Sequence, residues 1–356
     1  MTGLAFGTLS SPLDLDAAGK RAGQYGLTHS GNRHAFSAIR APLGVIRGED
    51  GPTALICGGN HGDEYEGQII ARRLFERLEP EDLHGRLILA PALNMPAIEA
   101  VSRTSPLDGG NLNRSFPGEA HAGPTREIAG FVATQLMPLA DIAIDLHSGG
   151  TGTAYLDAAY LCLSGDAARD AQTRAMATTM GLPFAMVVPP GDTPGDFDGA
   201  AHAAGCAMLS CELGGEGKVS QHSLENGWQG ILRVLIDAGI LSASAAARLG
   251  AEPAPQTRFL DLGAGSAAVT SDHHALAEPL VALGEAVSAG QPIARLRDLH
   301  RLDVSDIDLT APVAGIVAIQ RAGAIVAPGD HLCVICPELS GAALDALLEQ
   351  TARGTS

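Results

Sequence analysis

The stretch CGGNHGDEYEG, Cys57 to Gly67, sets His61 three positions before Glu64, where an apolar run ends and a helical pattern begins. Residues at i and i+3 are neighbours on a helix, so the pair is expected on one face of a first helical turn, within reach of one ion. Taken alone, Glu64 reads equally well as a first-turn acid favoured by the helix dipole, and His61 as a loop residue. The balance changes at DIAIDLHSGG, where His147 closes another apolar run shortly before two glycines. Two imidazoles and a carboxylate, with a position left for water, are the ligand set of catalytic zinc. Asp145 lies two residues before His147, on the same face of a strand, and can accept a hydrogen bond that fixes a ligating imidazole's tautomer.

Hydrolysis at such a centre needs a proton carrier and a group to hold developing negative charge. Glu212, in AMLSCELGGEGK, also ends an apolar run before glycines and is the candidate carrier; Glu216 is the competing carboxylate and reads as a solvated loop charge. The Gly- and Pro-rich loop SRTSPLDGGNLNRSFPGE offers Arg103, Asn113 and Arg114. A guanidinium binds a carboxylate in bidentate fashion and can also face an oxyanion. Lys20 and Lys218 are the only lysines, which limits any mechanism built on a Schiff base.

These residues need a scaffold. From residue 53 to about 240, short apolar runs alternate with helical periodicity, the pattern of an α/β domain with a largely parallel sheet. Ligands of such folds gather at the carboxyl ends of strands, where every cluster above is expected. After LSASAAARLGAEPAPQT, read as a helix end running into a linker, residues 257–337 show short β runs separated by Gly, Pro and Asp. That segment carries an internal echo, Gly-x-x-Val-x-x-Gly, and is similar to the barrel-sandwich modules that display a modified lysine, yet it holds no lysine. A structural or lid role is expected. The expected organisation is an N-terminal segment over 1–50, a catalytic domain over 51–245, a small all-β domain over 257–338 and a C-terminal helix or tail over 339–356.

The net charge of −17 argues against a nucleic-acid groove and favours a small or cationic ligand. No apolar run approaches the roughly 20 residues a membrane helix needs, and the N-terminus lacks the pattern of an export signal, so a cytoplasmic protein is expected. The six cysteines lie mostly inside apolar runs and read as buried free thiols; Cys333 and Cys336 have metal-like spacing, but strand residues three apart face opposite ways. His121, His222, His273 and His274 have no supporting context and read as surface residues.

In their order, NHGDEYEG, NLNRSFPG, DLHSGG and CELGG resemble the succinylglutamate desuccinylase/aspartoacylase family, relatives of the zinc carboxypeptidases, over roughly residues 50–240. The resemblance implies a mixed α/β sheet flanked by helices and one zinc ion per subunit on His61, Glu64 and His147. It implies Glu212 as general base, Asn113 with Arg114 as the pair that holds a substrate carboxylate, and Arg103, at a longer spacing to Asn113, as the arginine that polarises the scissile carbonyl. Within the family, the length, the GNLNRSFPG form and the appended β module are most similar to the branch that deacetylates Nα-acetyl-2,4-diaminobutyrate in ectoine breakdown. The expected partner is a small N-acyl amino acid, with no nucleic acid or membrane, and a homodimer is a further expectation. The alternatives are deacylation of an N-acyl aspartate or succinylglutamate, carboxypeptidase-like trimming, or a non-catalytic module around a structural metal.

Overall fold

The computed structural model of the protein describes residues 3–31, 34–190 and 195–354. The last two residues of the expected tail lie outside them. At the centre run four parallel strands in the spatial order His84–Ala90, Glu49–Gly58, Ile142–His147, Ala207–Glu212. The chain leaves Glu49–Gly58 toward one neighbour and later returns to its other side, which opens a crevice at the carboxyl ends of these strands. Register places Cys57 opposite Asp145, and His147 opposite Glu212, so the chemically loaded ends are level.

The sheet is wider and more mixed than the periodicity suggests. Among the described residues it has twelve strands, and Ala158–Cys162 runs antiparallel to the Glu212 strand before Phe184–Val188 and Arg258–Asp261 continue it in parallel. The first 50 residues, read from sequence as a lead-in segment, contribute the long hairpin Gly19–Gly31 and His34–Arg47. Tyr25, Leu27, Ala41, Leu43 and Val45 are buried in alternation along it, spaced by Gly26, Pro42 and Gly44.

Strand residues alternate between two helical layers. Ile56, Ile144, Leu146, Leu209 and Cys211 pack under Glu66–Arg77, Ala167–Met180 and Gln221–Asp237. Leu55, Cys57, Ala143 and Met208 pack on the other side under Pro124–Phe131 and Phe197–Ala203. Glu66–Arg77 buries Ile70 and Leu74, each contributing about 1.5–3 kcal/mol. It lies tight against the His147 strand because Gly67 presents no side chain; a Cβ there would stand 2.4 Å from the Leu146 carbonyl oxygen.

Residues 267–336 form two antiparallel sheets around Val269, Val287, Ile293, Val317 and Ile335. The flanking strands Arg258–Asp261 and Glu338–Leu339 pair with each other at the edge of the large sheet, so the module leaves and rejoins that edge. It also reaches the centre of the molecule. Thr153–Tyr155, in the segment after His147, pairs with Gly315–Arg321 of the module. Cys333 and Cys336 are buried free thiols, and His273 and His274 are exposed. Among the described residues no helix is long and apolar enough to cross a membrane.

Candidate active site

Gly58 ends its strand, and the turn 59–65 folds back over the sheet before Glu66–Arg77 begins. His61 and Glu64 therefore sit in this turn rather than on the first turn of the helix, as their spacing suggests. The turn is fixed by backbone bonds: Gly62 N donates to Ser102 O at 2.9 Å and Asn94 N to Gly59 O at 2.9 Å. Gly62 packs so closely that a Cβ would meet the backbone of Ala97 at 2.0 Å. Asp63 ties the turn to the segment after His147, accepting from Thr151 N at 2.8 Å and Thr151 Oγ1 at 2.9 Å.

Within this frame two imidazoles converge on one carboxylate. His61 Nδ1 lies 2.6 Å from Glu64 Oε1, and His147 Nδ1 lies 2.8 Å from Glu64 Oε2. All three side chains are buried, and their ligand atoms lie within 4.8 Å of one another. The far nitrogens are held too. His147 Nε2 lies 2.9 Å from Asp145 Oδ2, which also accepts from Asn60 Nδ2 at 2.7 Å. His61 Nε2 lies 3.2 Å from Asn111 Oδ1. Each imidazole thus donates through Nε2 and turns Nδ1 inward, as a ligating histidine requires.

The electrostatics suit a cation. Burial alone raises the Glu64 carboxyl, but the positive charge of His147 and His61 outweighs it and holds the group well below the usual carboxylate range. Burial lowers His147, yet the charges of Asp145 and Glu64 prevail and raise it well above its ordinary value. Two Nδ1 atoms facing one carboxylate, each imidazole braced from behind, form a donor set that fits a divalent metal. Among the described residues the cluster has three members, the number of protein ligands in an open catalytic site rather than a closed structural one.

Glu212 stands beside it, opposite His147 in register. Its Oε2 is buried with no hydrogen-bond partner among the described residues. Burial, and then the charge of Glu64, pushes this carboxyl up to about 8, against the opposing pull of His147 and Arg103. That value lies in the range useful to a group that takes and returns protons near neutrality.

The remaining sequence candidates occupy the rim. Arg103 is exposed, with Nη1 3.5 Å from Glu64 Oε1. Asn113 accepts from Phe197 N at 2.8 Å through Oδ1, which leaves its Nδ2 as the donor a substrate oxygen would use. Arg114 is exposed and its guanidinium rests on the carbonyl of Asn113. Glu216 is exposed in the glycine-rich turn and pairs with Lys218 at 3.2 Å. His222 stands apart from the cluster, on the helix Gln221–Asp237.

Sequence reasoning passed over Asn111, Asn60 and Tyr155. Asn111 joins the His61–Glu64–His147 cluster to the arginine loop, since the Oδ1 facing His61 also accepts from Asn113 N at 3.0 Å. The pair of asparagines in NLN was the available signal. Tyr155 is half-buried, and burial followed by the charge of Glu212 raises its hydroxyl, which marks it as a neighbour of Glu212. Nothing local in TGTAYLDAAY announces that; the β module's pairing with Thr153–Tyr155 decides it.

Comparison with known proteins gives a consistent picture. Residues 50–237 match the succinylglutamate desuccinylase/aspartoacylase catalytic domain. The chain is 38% identical over 327 residues to the N-alpha-acetyl-L-2,4-diaminobutyric acid deacetylase of Halomonas elongata, covering 92% of this chain and 94% of that one. Among solved structures, the product-bound ectoine utilization protein EutE (DoeB) from Ruegeria pomeroyi is 35% identical with a TM-score of 0.88, covering 94% of this chain and 100% of that one. A succinylglutamate desuccinylase from Silicibacter sp. TM1040 is 32% identical with a TM-score of 0.88, covering 94% and 100% respectively.

Proposed function

The chain belongs to the succinylglutamate desuccinylase/aspartoacylase family, and from that premise we propose that it is a zinc-dependent cytoplasmic amidohydrolase that deacetylates Nα-acetyl-L-2,4-diaminobutyrate in ectoine breakdown. The observation that carries the hydrolytic reading is the convergence of both Nδ1 atoms on Glu64, with the Glu212 carboxyl level with His147 on the next strand. Likeness to the Halomonas elongata deacetylase and to the EutE (DoeB) structure supports the choice of substrate.

A zinc ion held by His61, Glu64 and His147 would supply Lewis acidity, acidifying a water and polarising the amide carbonyl. Arg114 and Asn113 take the substrate's α-carboxylate at the rim and orient the amide over the crevice. Glu212 accepts a proton as water oxygen bonds to the acyl carbon. Arg103, near Glu64, faces the oxygen on which negative charge develops. As the carbon–nitrogen bond breaks, Glu212 gives its proton to the departing amine, and acetate and L-2,4-diaminobutyrate leave. Asp145 and Asn111 hold the imidazoles throughout.

The test is to incubate zinc-loaded protein with Nα-acetyl-2,4-diaminobutyrate, its Nγ-acetyl isomer, N-acetylaspartate and N-succinylglutamate and to identify the released acid. Acetate from the Nα-acetyl isomer in preference to the others is expected. Preferred release of succinate, or of acetate from N-acetylaspartate, would move the assignment to another branch of the family.

A further inference from the structure

On the sheet face that carries His147 and Glu212, the strands are incompletely covered. Register sets Ser210 opposite Tyr160 and Glu212 opposite Ala158. Tyr160, Cys162 and Glu212 all keep some exposure, whereas Ala159, Leu161, Cys211 and Leu213, on the opposite face of the same strands, are fully buried. A cleft lined by Cys162, Asp196, Asp198 and His202 opens on this face. One wall is the start of the helix Phe197–Ala203, which is clamped to the arginine loop. Phe197 N donates to Asn113 Oδ1, Phe116 N donates to Gly195 O at 2.9 Å, and the two phenylalanine rings meet edge to face at 5.4 Å.

Two acidic residues stand at that wall and do different things. Asp196 caps the helix, accepting from Gly199 N at 2.8 Å. Asp198 turns toward the sheet, accepting from the Ser210 hydroxyl and meeting the Cys162 thiol. Both of these partners are neutral, and among the described residues no arginine, lysine or histidine pairs with Asp198. Burial, opposed by those two hydrogen bonds, pushes its carboxyl up to about 6. Buried charges are ordinarily paired. Asp198 keeps some exposure in the cavity it lines with Arg169 and His202, so a cation that enters there can reach it.

We propose that Asp198 reads the ammonium of the substrate's side chain and makes the cleft selective for N-acyl amino acids with a short cationic side chain. The inference deepens the hydrolase reading above and rests on it. The geometry matches the reach of such a side chain. At about 3.4 Å per strand residue, Ser210 lies roughly 7 Å from Glu212 along the sheet. Two methylenes, an ammonium and a charge-assisted hydrogen bond of about 2.8 Å span that interval. The α-carboxylate at Asn113 and Arg114, the amide at Glu212 and the ammonium at Asp198 then fix three points of one small molecule.

The experiment compares kcat/KM for Nα-acetyl-L-2,4-diaminobutyrate and Nα-acetyl-L-norvaline, whose propyl group has the same shape without the charge, using the zinc-loaded enzyme. Wild type should favour the cationic substrate. Asp198→Asn should lower that preference at least tenfold, mainly through KM, while activity on the norvaline substrate persists, and Asp198→Glu should restore part of it. A preference unchanged within twofold, or equal losses on both substrates, would overturn the assignment. Inhibition of wild type by L-2,4-diaminobutyrate and by L-norvaline needs no variant, and equal potency would overturn it as well. A wild type that hydrolyses both substrates equally well removes Asp198 from recognition and leaves the hydrolase reading standing. A wild type that hydrolyses neither removes both.

Discussion

Asp145→Asn isolates the charge behind His147 with almost no change of shape. Asp145 Oδ2 accepts from both His147 Nε2 and Asn60 Nδ2, while its Oδ1 is buried without a partner among the described residues. The variant amide can keep both contacts by turning its oxygen to the Oδ2 position. What it loses is charge assistance. Hydrogen bonds to charged groups contribute about 1.5–3 kcal/mol and neutral ones about 0.5–1.5, so about 1–1.5 kcal/mol disappears from the support of His147. At 1.4 kcal/mol per decade, metal affinity should fall roughly tenfold. The same turn places an NH2 group where Oδ1 has no partner, a buried donor that costs about 1–3 kcal/mol of fold stability with or without metal. Chelator competition measures the first effect, and denaturation of the metal-free protein measures the second. Affinity equal to wild type within twofold would refute the view that Asp145 acts on the metal site through His147.

Replacing Glu212 by Gln should leave the metal bound and slow turnover about 10²–10⁴-fold; full activity would remove its role as base. The same variant tests the raised carboxyl. Its folded value of about 8 exceeds the ordinary 4.5, so its contribution is fully present below the usual carboxylate range and is lost as pH rises through about 8. Metal-free Glu212→Gln should accordingly gain in Tm relative to wild type as pH rises from about 5 to 9, and a gap that narrows over that range would contradict the shift. His61→Ala should reduce bound metal after dialysis, and an unchanged stoichiometry would strike His61 from the ligand set. Gly67→Ala sets a methyl 2.4 Å from the Leu146 carbonyl oxygen and should cost about 1–3 kcal/mol of stability by prying the helix from the His147 strand. A neutral effect on denaturation would show that this contact yields cheaply.

The sequence by itself marked the residues that the proposed chemistry uses and where along the chain they stand. His61, Glu64, His147 and Glu212 are legible because each ends an apolar run or follows its glycines, and an α/β chain delivers strand ends to one crevice. Family membership was legible for the same reason, being written in ordered local segments. The hairpin of the first 50 residues was harder to see, since its inward positions are spaced by Gly26, Pro42 and Gly44, residue types that read as strand breakers. Tertiary structure alone decided that His61 and Glu64 lie in a turn held by Ala97 and Ser102 rather than on a helix. It alone brought Asn111 to His61, Tyr155 to Glu212 and Asp198 to Ser210. Those partners come from segments 50, 57 and 12 residues apart, and local periodicity cannot report contacts that only strand register and loop closure create.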